Sequence, residues 1–277
     1  MRTHTVLRLV PVLLVALAGA AFVDAAPRGT HPRDLVITAT DYAFQAPDTV
    51  PAGLTRVQLA SNGKEFHHVQ LVRIPSGREL RDVMQVMSAK GAFPSWLTFV
   101  GGPEATLGGN GDVTMQLEPG KYAVICVISS PHDGVRHVAK GMAREITVVP
   151  SSRRSEPAPR ADTRLTLDDY SFTFAPSLTA GRHTIAVENK AAQPHHVEIM
   201  KLEPGKTADD AMAWSRTRQG PPPFQVWGGT SALSPGKAVT LTGDFTRGIY
   251  LLVCFVPDAT DGRSHLAHGM LQVLTIE

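Results

Sequence analysis

The chain repeats itself. Asp41-Tyr42 recurs as Asp169-Tyr170, Phe44 as Phe172, His67-His68-Val69 as His195-His196-Val197, Tyr122 as Tyr250 and Cys126 as Cys254, each pair offset by 128 positions. The same offset carries His137 to His265, Gly141-Met142 to Gly269-Met270 and Met84 to Met212. Two copies of one domain joined in tandem follow from this, because the period is that of a whole domain and far longer than a solenoid unit. Residues 34–149 and 164–277 are the expected domains. The stretch 150–163, PSSRRSEPAPRADT, has no apolar periodicity and is expected to be an exposed linker.

Strand signals dominate each copy. Leu35-Val36-Ile37, Arg56-Val57-Gln58-Leu59, Val113-Thr114-Met115-Gln116-Leu117 and Tyr122-Ala123-Val124-Ile125-Cys126 are short, rich in β-branched residues and separated by turn residues. With 24 Gly and 21 Pro in 277 residues, helix breakers are too frequent for a helical bundle. The expected fold class is all-β, with two sandwiches in tandem. One helix interrupts each copy. Ser76 and Glu79 read as a capping box before Leu80, Val83, Met84 and Met87 at helical spacing, and Thr207 with Asp210 repeats the signal. Met84, Met87 and Met212 are expected to face the core.

Residues 1–25 read as a cleaved secretory signal: Arg2 and Arg8 lead into an apolar run from Leu9 to Phe22, and Val23-Asp24-Ala25 offers a cleavage site. No later stretch is long and apolar enough to anchor the chain, so a periplasmic or secreted protein without an integral membrane segment is expected. The 27 basic and 25 acidic residues nearly cancel. A nucleic-acid partner, which needs a concentrated positive field, is not expected.

Comparing the copies shows where chemistry is expected. Between Cys126 and His137 lie the ten residues VISSPHDGVR, and between Cys254 and His265 lie FVPDATDGRS; only Asp-Gly is shared, while the ends persist. Both copies continue as His-x4-Met, from His137 to Met142 and from His265 to Met270, and both carry a His-His pair about sixty residues earlier. Two imidazoles, a thiolate and a thioether form the donor set of a type 1 copper site. Strand alternation chooses within each His pair. Val69 and Leu71 share the phase of His67, and Val197 and Ile199 that of His195, so His67 and His195 are expected inward as ligands. His68 and His196 are expected outward or bracing the neighbouring loop.

These residues resemble the cupredoxin family, and the resemblance spans nearly all of the chain after the signal. The stretch from Asn189 through His195-His196-Val197 is similar to the family's segment carrying the first His ligand, and Gly120-Tyr122-Cys126 and Gly248-Tyr250-Cys254 look like its strand leading to the thiolate. The resemblance implies a Greek-key β-sandwich in each copy, with copper near one end. It also implies the roles of Cys126 and Cys254 as thiolates, His67, His137, His195 and His265 as imidazoles, and Met142 and Met270 as axial thioethers. Small cupredoxins place two to four residues between Cys and His; the ten found here resemble the extended loop of copper nitrite reductases, which are also tandem cupredoxins. The Asn that usually follows the first His is replaced by His68 or His196.

The expected function is single-electron transfer with a redox partner protein, and not catalysis. After His68 no His appears until His132, and after His196 none until His265, so the second copper of a nitrite reductase lacks its extra ligand. Neither the His-x-His nor the His-Cys-His pairs of a multicopper oxidase occur. His132 and His268 read as solvated loop residues. A Cys126–Cys254 disulfide is not expected, because the repeat places both at the same inward position of separate cores. Two alternatives stay open: a metal-free cupredoxin-fold module that binds a partner, and a periplasmic copper carrier.

Overall fold

A computed structural model describes residues 32–104, 109–152, 157–217 and 219–277; the expected signal segment lies outside them. The first half contains β1 (Arg33–Thr40), β2 (Ala43–Gln45), β3 (Thr49–Pro51), β4 (Gly53–Ser61), β5 (Gln70–Ile74), α1 (Leu80–Ser88), β6 (Thr98–Gly101), β7 (Asn110–Leu117), β8 (Gly120–Ile125) and β9 (Ala143–Val149). The second half repeats the pattern with β10 (Thr163–Asp168), β11 (Ser171–Ala175), β12 (Gly181–Asn189), β13 (His195–Leu202), α2 (Ala208–Thr217), β14 (Phe224–Leu233), β15 (Ala238–Phe245), β16 (Gly248–Val253) and β17 (Leu271–Ile276).

Period-two burial explains how the sheets face each other. Leu35, Ile37 and Ala39 of β1 are buried at every second position, as are Val57 and Leu59 of β4, Leu165 and Leu167 of β10, and Ile185 and Val187 of β12. In each half β1 or its repeat mate β10 runs parallel to the strand that follows it in the sheet, β4 or β12, and the remaining ladders are largely antiparallel. The all-β tandem sandwich expected from the sequence is what forms, with one helix inserted in each half.

The halves differ from two free-standing sandwiches in one respect: their sheets are continuous. One sheet runs β11-β10-β12-β15-β7-β4-β1-β2 and the other β17-β16-β13-β14-β6-β5-β8-β9-β3. The joins are antiparallel and lie between repeat mates, β7 with β15 at Thr114 and Thr240, and β6 with β14 at Val100 and Leu233. Like strand meets like strand, as in an isologous dimer interface. Edge strands carry unpaired backbone groups, and at these two pairings each half covers an edge of the other. Ser234 ties the join twice: its N–H donates to the Phe99 carbonyl and its Oγ accepts the Phe99 N–H, both at 2.9 Å. The Gln70 side chain donates to the Ala232 carbonyl at 3.1 Å.

The α1 capping box sits one turn later than Ser76 and Glu79 predict. Ser76 and Gly77 are used in a tight turn closed by the Arg78 N–H on the Pro75 carbonyl at 3.1 Å, with Gly77 at φ +80°. Glu79 becomes the N-cap and pairs reciprocally with Asp82. In α2 the expected pair forms: Thr207 N–H donates to Asp210 Oδ2 at 2.9 Å, and Asp210 N–H to Thr207 Oγ1 at 3.2 Å. Met87 is buried, whereas Met84 and Met212 are only partly covered, packed against the rim of the core.

Candidate metal centres

Each Cys follows directly on the last residue of a central strand, β8 or β16, which carries it to the end of the sandwich. The ten-residue stretch after it folds back on itself. Ser129 bridges Arg136 and Pro257 bridges Ser264, each around the retained Asp-Gly turn. The filling can therefore vary while the ends stay fixed. A single turn of 3-10 helix, His137–Lys140 or His265–His268, then gathers the remaining residues. Val138 N–H donates to the Cys126 carbonyl at 2.8 Å, Met142 N–H to the His137 carbonyl at 2.9 Å, and Cys126 N–H to the Met142 carbonyl at 3.3 Å. The second half repeats all three with Leu266, Met270 and Cys254 at the same distances. Gly141 and Gly269 end these turns at φ +98° and +91°, a left-handed conformation that glycine adopts without strain.

Two groups of three donors result: His67, Cys126 and His137 in the first half, and His195, Cys254 and His265 in the second. All six residues are buried, and the donor atoms of each group lie within 4.8 Å of one another. The Cys126 sulfur is 3.4 Å from His137 Nδ1. The Cys254 sulfur is 3.4 Å from His265 Nδ1 and 3.8 Å from His195 Nδ1. Bonds of about 2.0–2.3 Å from one ion to N and S donors place two donors at a trigonal angle about 3.7 Å apart. The spacing found here fits that. His67 Nδ1 is buried without a hydrogen-bond partner among the described residues, which would be costly unless an ion takes its lone pair.

The far sides of the rings fix their tautomers. His67 Nε2–H donates to Asp41 Oδ1 and His195 Nε2–H to Asp169 Oδ1, both at 3.0 Å. His137 Nε2–H donates to Glu65 Oε2 at 2.8 Å. A carboxylate acceptor at Nε2 leaves Nδ1 unprotonated and aimed at the sulfur. Burial pushes the Cys126 and Cys254 thiols up to about 12, so without a metal both are protonated. Burial holds His265 down to about 4, with the charge of His195 adding to it; His137 and His195 are also lowered, first by burial. Met142 and Met270 are fully buried beside their Cys, joined through the backbone contacts above.

His68 and His196 take the bracing arrangement of the two expected. His68 Nε2 accepts the Val127 N–H at 3.0 Å and His196 Nε2 the Phe255 N–H at 2.7 Å, so each holds the residue after the Cys. β5 starts only at Gln70, and His68 forms an isolated bridge with Glu104 instead of a strand. His132 is exposed near Glu65, and His268 Nε2 bonds Asp261 Oδ1 at 3.1 Å. Asp258, Asp261 and His268 form a third cluster, but the Asp258 carboxylate is already taken up by Tyr170, Gln193 and the Thr260 N–H.

The sequence gives no role to the repeated Asp-Tyr pair, and the structure gives it one. While Asp41 and Asp169 hold the first His of each group, Tyr42 and Tyr170 stand edge-on to the second, at 5.1 Å from His137 and 5.6 Å from His265. Both tyrosines sit at positive φ, +67° and +61°, a strained backbone that recurs in both halves. Exact recurrence at the repeat offset was the available signal.

Each half thus joins its sheets to a buried His–Cys–His donor set. No family model matches the chain, and no curated protein does. Among solved structures it is similar to a dithionite-reduced auracyanin from the photosynthetic bacterium Roseiflexus castenholzii, at 22% identity over 41% of this chain and 94% of that one, with a TM-score of 0.30. It is also similar to a multicopper oxidase, at 12% identity over 91% of both chains and a TM-score of 0.28. A copper nitrite reductase from Nitrosomonas europaea matches at 13% identity over 89% of this chain and 94% of that one, with a TM-score of 0.24. Likeness at this level says nothing of function.

Proposed function

We propose that the chain is an exported copper protein that passes single electrons through two mononuclear type 1 sites, one in each of the domains 34–149 and 164–277. Cys126, His67, His137 and Met142 hold one ion, and Cys254, His195, His265 and Met270 the other. The observation that carries this reading is the repeated buried trio, one sulfur facing imidazole Nδ1 atoms whose far nitrogens are mostly held by carboxylates. Bound copper would supply a one-electron couple that thiolate and imidazole donors suit in both oxidation states.

The protein's own residues fix the donors before any ion arrives. The 3-10 turns hold His, Met and Cys in register, the Asp-Tyr pairs and Glu65 orient the rings, and His68 and His196 clamp the strand end that bears the thiolate. Little has to move when the charge at the centre changes. Because all three donors in each group are buried, a substrate has no direct access to the centre, which favours outer-sphere exchange with a redox partner protein over catalysis. Export rests on the basic and apolar pattern of residues 1–25. No described helix is long and apolar enough to cross a membrane.

Copper-loaded protein should be blue, with an intense visible thiolate-to-copper band that Cys126→Ala together with Cys254→Ala abolishes. A colourless protein that takes up no copper on refolding would overturn the reading in favour of a metal-free binding module. Tight cuprous binding without colour on oxidation would favour a copper carrier.

A further inference from the structure

The two centres share most of their contacts, and one difference changes the charge around the second imidazole. Asp41 and Asp169 hold the first His of each at the same 3.0 Å. Backbone N–H groups face both sulfurs, those of His68 and Ile128 at Cys126 and those of His196 and Val256 at Cys254. The difference lies beneath the tyrosines. In the first half the carboxylate comes from Glu65, which accepts from Tyr42 Oη at 2.7 Å, from Ser130 Oγ at 3.0 Å and from His137 Nε2 at 2.8 Å.

In the second half the two positions have exchanged roles. Gln193 stands where the repeat places Glu65, and Asp258 stands where it places Ser130. Asp258 Oδ2 accepts from Tyr170 Oη at 2.6 Å and from Gln193 Nε2 at 3.0 Å, and it lies 3.8 Å from His265 Nε2, beyond hydrogen-bond reach. His265 Nε2 has no hydrogen-bond partner among the described residues. A carboxylate bonded to the far nitrogen makes an imidazole the stronger donor and favours the more positively charged state of the ion it holds. Glu65 and Glu104 also place negative charge near the Cys126 sulfur.

A run of contacts joins the two centres, hydrogen-bonded from Val127 as far as Ser231 and carried from there across the β13–β14 pairing. From Cys126 it passes through the Val127 N–H to the His68 ring, whose Nδ1 lies 3.2 Å from Glu104 Oε1 and 3.3 Å from Ser231 Oγ of the second half. Ser231 donates to Glu104 at 3.2 Å and sits in the bulge of β14 opposite His196. His196 N–H donates to the Cys254 sulfur at 3.4 Å.

Resting on the copper reading above, we infer that the first-half centre has the lower reduction potential and that electrons pass internally from it to the second-half centre along this run of contacts. In each transfer one electron moves: the first-half centre goes from cuprous to cupric as the second-half centre goes from cupric to cuprous, with no bond broken and no proton moved. The first half then receives electrons from outside and the second half delivers them.

The test is a spectroscopic redox titration of the visible band in copper-loaded, full-length Cys254→Ser, where only the first-half centre is blue, and in Cys126→Ser, where only the second is. The second-half centre should hold the electron at least tenfold more strongly, about 59 mV for a one-electron couple. Glu65→Gln in the Cys254→Ser background should raise the first-half potential. Gln193→Glu with Asp258→Ser in the Cys126→Ser background should lower the second-half potential, a shift that a merely structural role would not produce. Blue variants with equal or reversed potentials overturn the inference and leave the copper reading standing. If neither variant gives a blue band, the copper reading falls and the inference falls with it.

Discussion

The imidazole of His196 accepts the backbone N–H of Phe255 at 2.7 Å, and its own backbone N–H donates to the sulfur of Cys254 at 3.4 Å. One residue thus closes the strand end around the thiolate from both sides. His68 does the same for Val127 in the first half.

Replacing His196 by Ala removes the acceptor of the Phe255 N–H, a bond at an exposed residue and so a loss of about 0.5–1.5 kcal/mol. His196→Ala should therefore lower the stability of the metal-free protein by that amount in urea melts and weaken the second-half visible band. His196→Asn, which restores an oxygen acceptor, should recover most of both. Equal losses for Ala and Asn would show that the ring's bulk matters and its nitrogen does not.

Much of this was legible in the sequence because the repeat acts as its own control. Cys, His and Met recur at one offset while the residues between Cys and His do not, and in β13 strand phase separates His195 from His196. The carboxylates were hidden by the same logic. Glu65 aligns with Gln193 and Ser130 with Asp258, so a comparison that keeps only identities discards the pair that distinguishes the two centres. The edge-to-edge joins of β7 with β15 and of β6 with β14 were hidden for another reason. They are made largely by backbone groups, which every residue carries.

Gly102 and Gly229 permit the tight approach behind the first His of each half. A Cβ at Gly102 would lie 1.9 Å from the Val69 carbonyl oxygen and one at Gly229 2.0 Å from that of Val197, with φ at +149° and +144°. Gly102→Ala and Gly229→Ala should each cost about 3 kcal/mol or more, since clash and left-handed backbone combine. Gly141→Ala meets nothing within 4 Å and should cost only the backbone term, about 1–2 kcal/mol. Urea unfolding of the three variants ranks them; a Gly141→Ala loss as large as that of Gly102→Ala would refute the steric explanation.

Copper uptake should release protons in a countable way. Near pH 7 the Cys254 thiol, pushed up to about 12 by burial, holds its proton, while His195 is lowered and His265 is held near 4, so both rings are already neutral. Binding needs a thiolate and neutral imidazoles. Anaerobic titration of Cys126→Ser with cuprous ion, in two buffers of different ionisation enthalpy, should give about one proton released per ion. Release of none, or of two, would contradict these protonation states.

The metal-free protein should lose stability steadily on mild acidification. Burial holds His196 and His265 down to about 4 in the folded chain, against an ordinary value of 6.5. Between these values the unfolded chain binds protons that the folded chain refuses, so stability is fully present above about pH 6.5 and is lost as the pH falls towards 4. Each pKa unit is worth about 1.4 kcal/mol, so each ring accounts for about 3 kcal/mol at most across that window. Glu65 and Asp258 act in the same direction at lower pH. Tyr42, His137 and Ser130 hold the Glu65 carboxyl below its usual range despite burial, and the Tyr170 hydroxyl holds that of Asp258 well below it, so their contribution fades as the pH drops through the acid range. Urea midpoints measured at pH 7.5, 6 and 5 should therefore fall in that order, and His196→Asn, which removes one of the two rings, should flatten the slope. A midpoint that stays level from pH 7.5 to 5 would mean that the buried imidazoles are reached by protons, or by water, in the folded state.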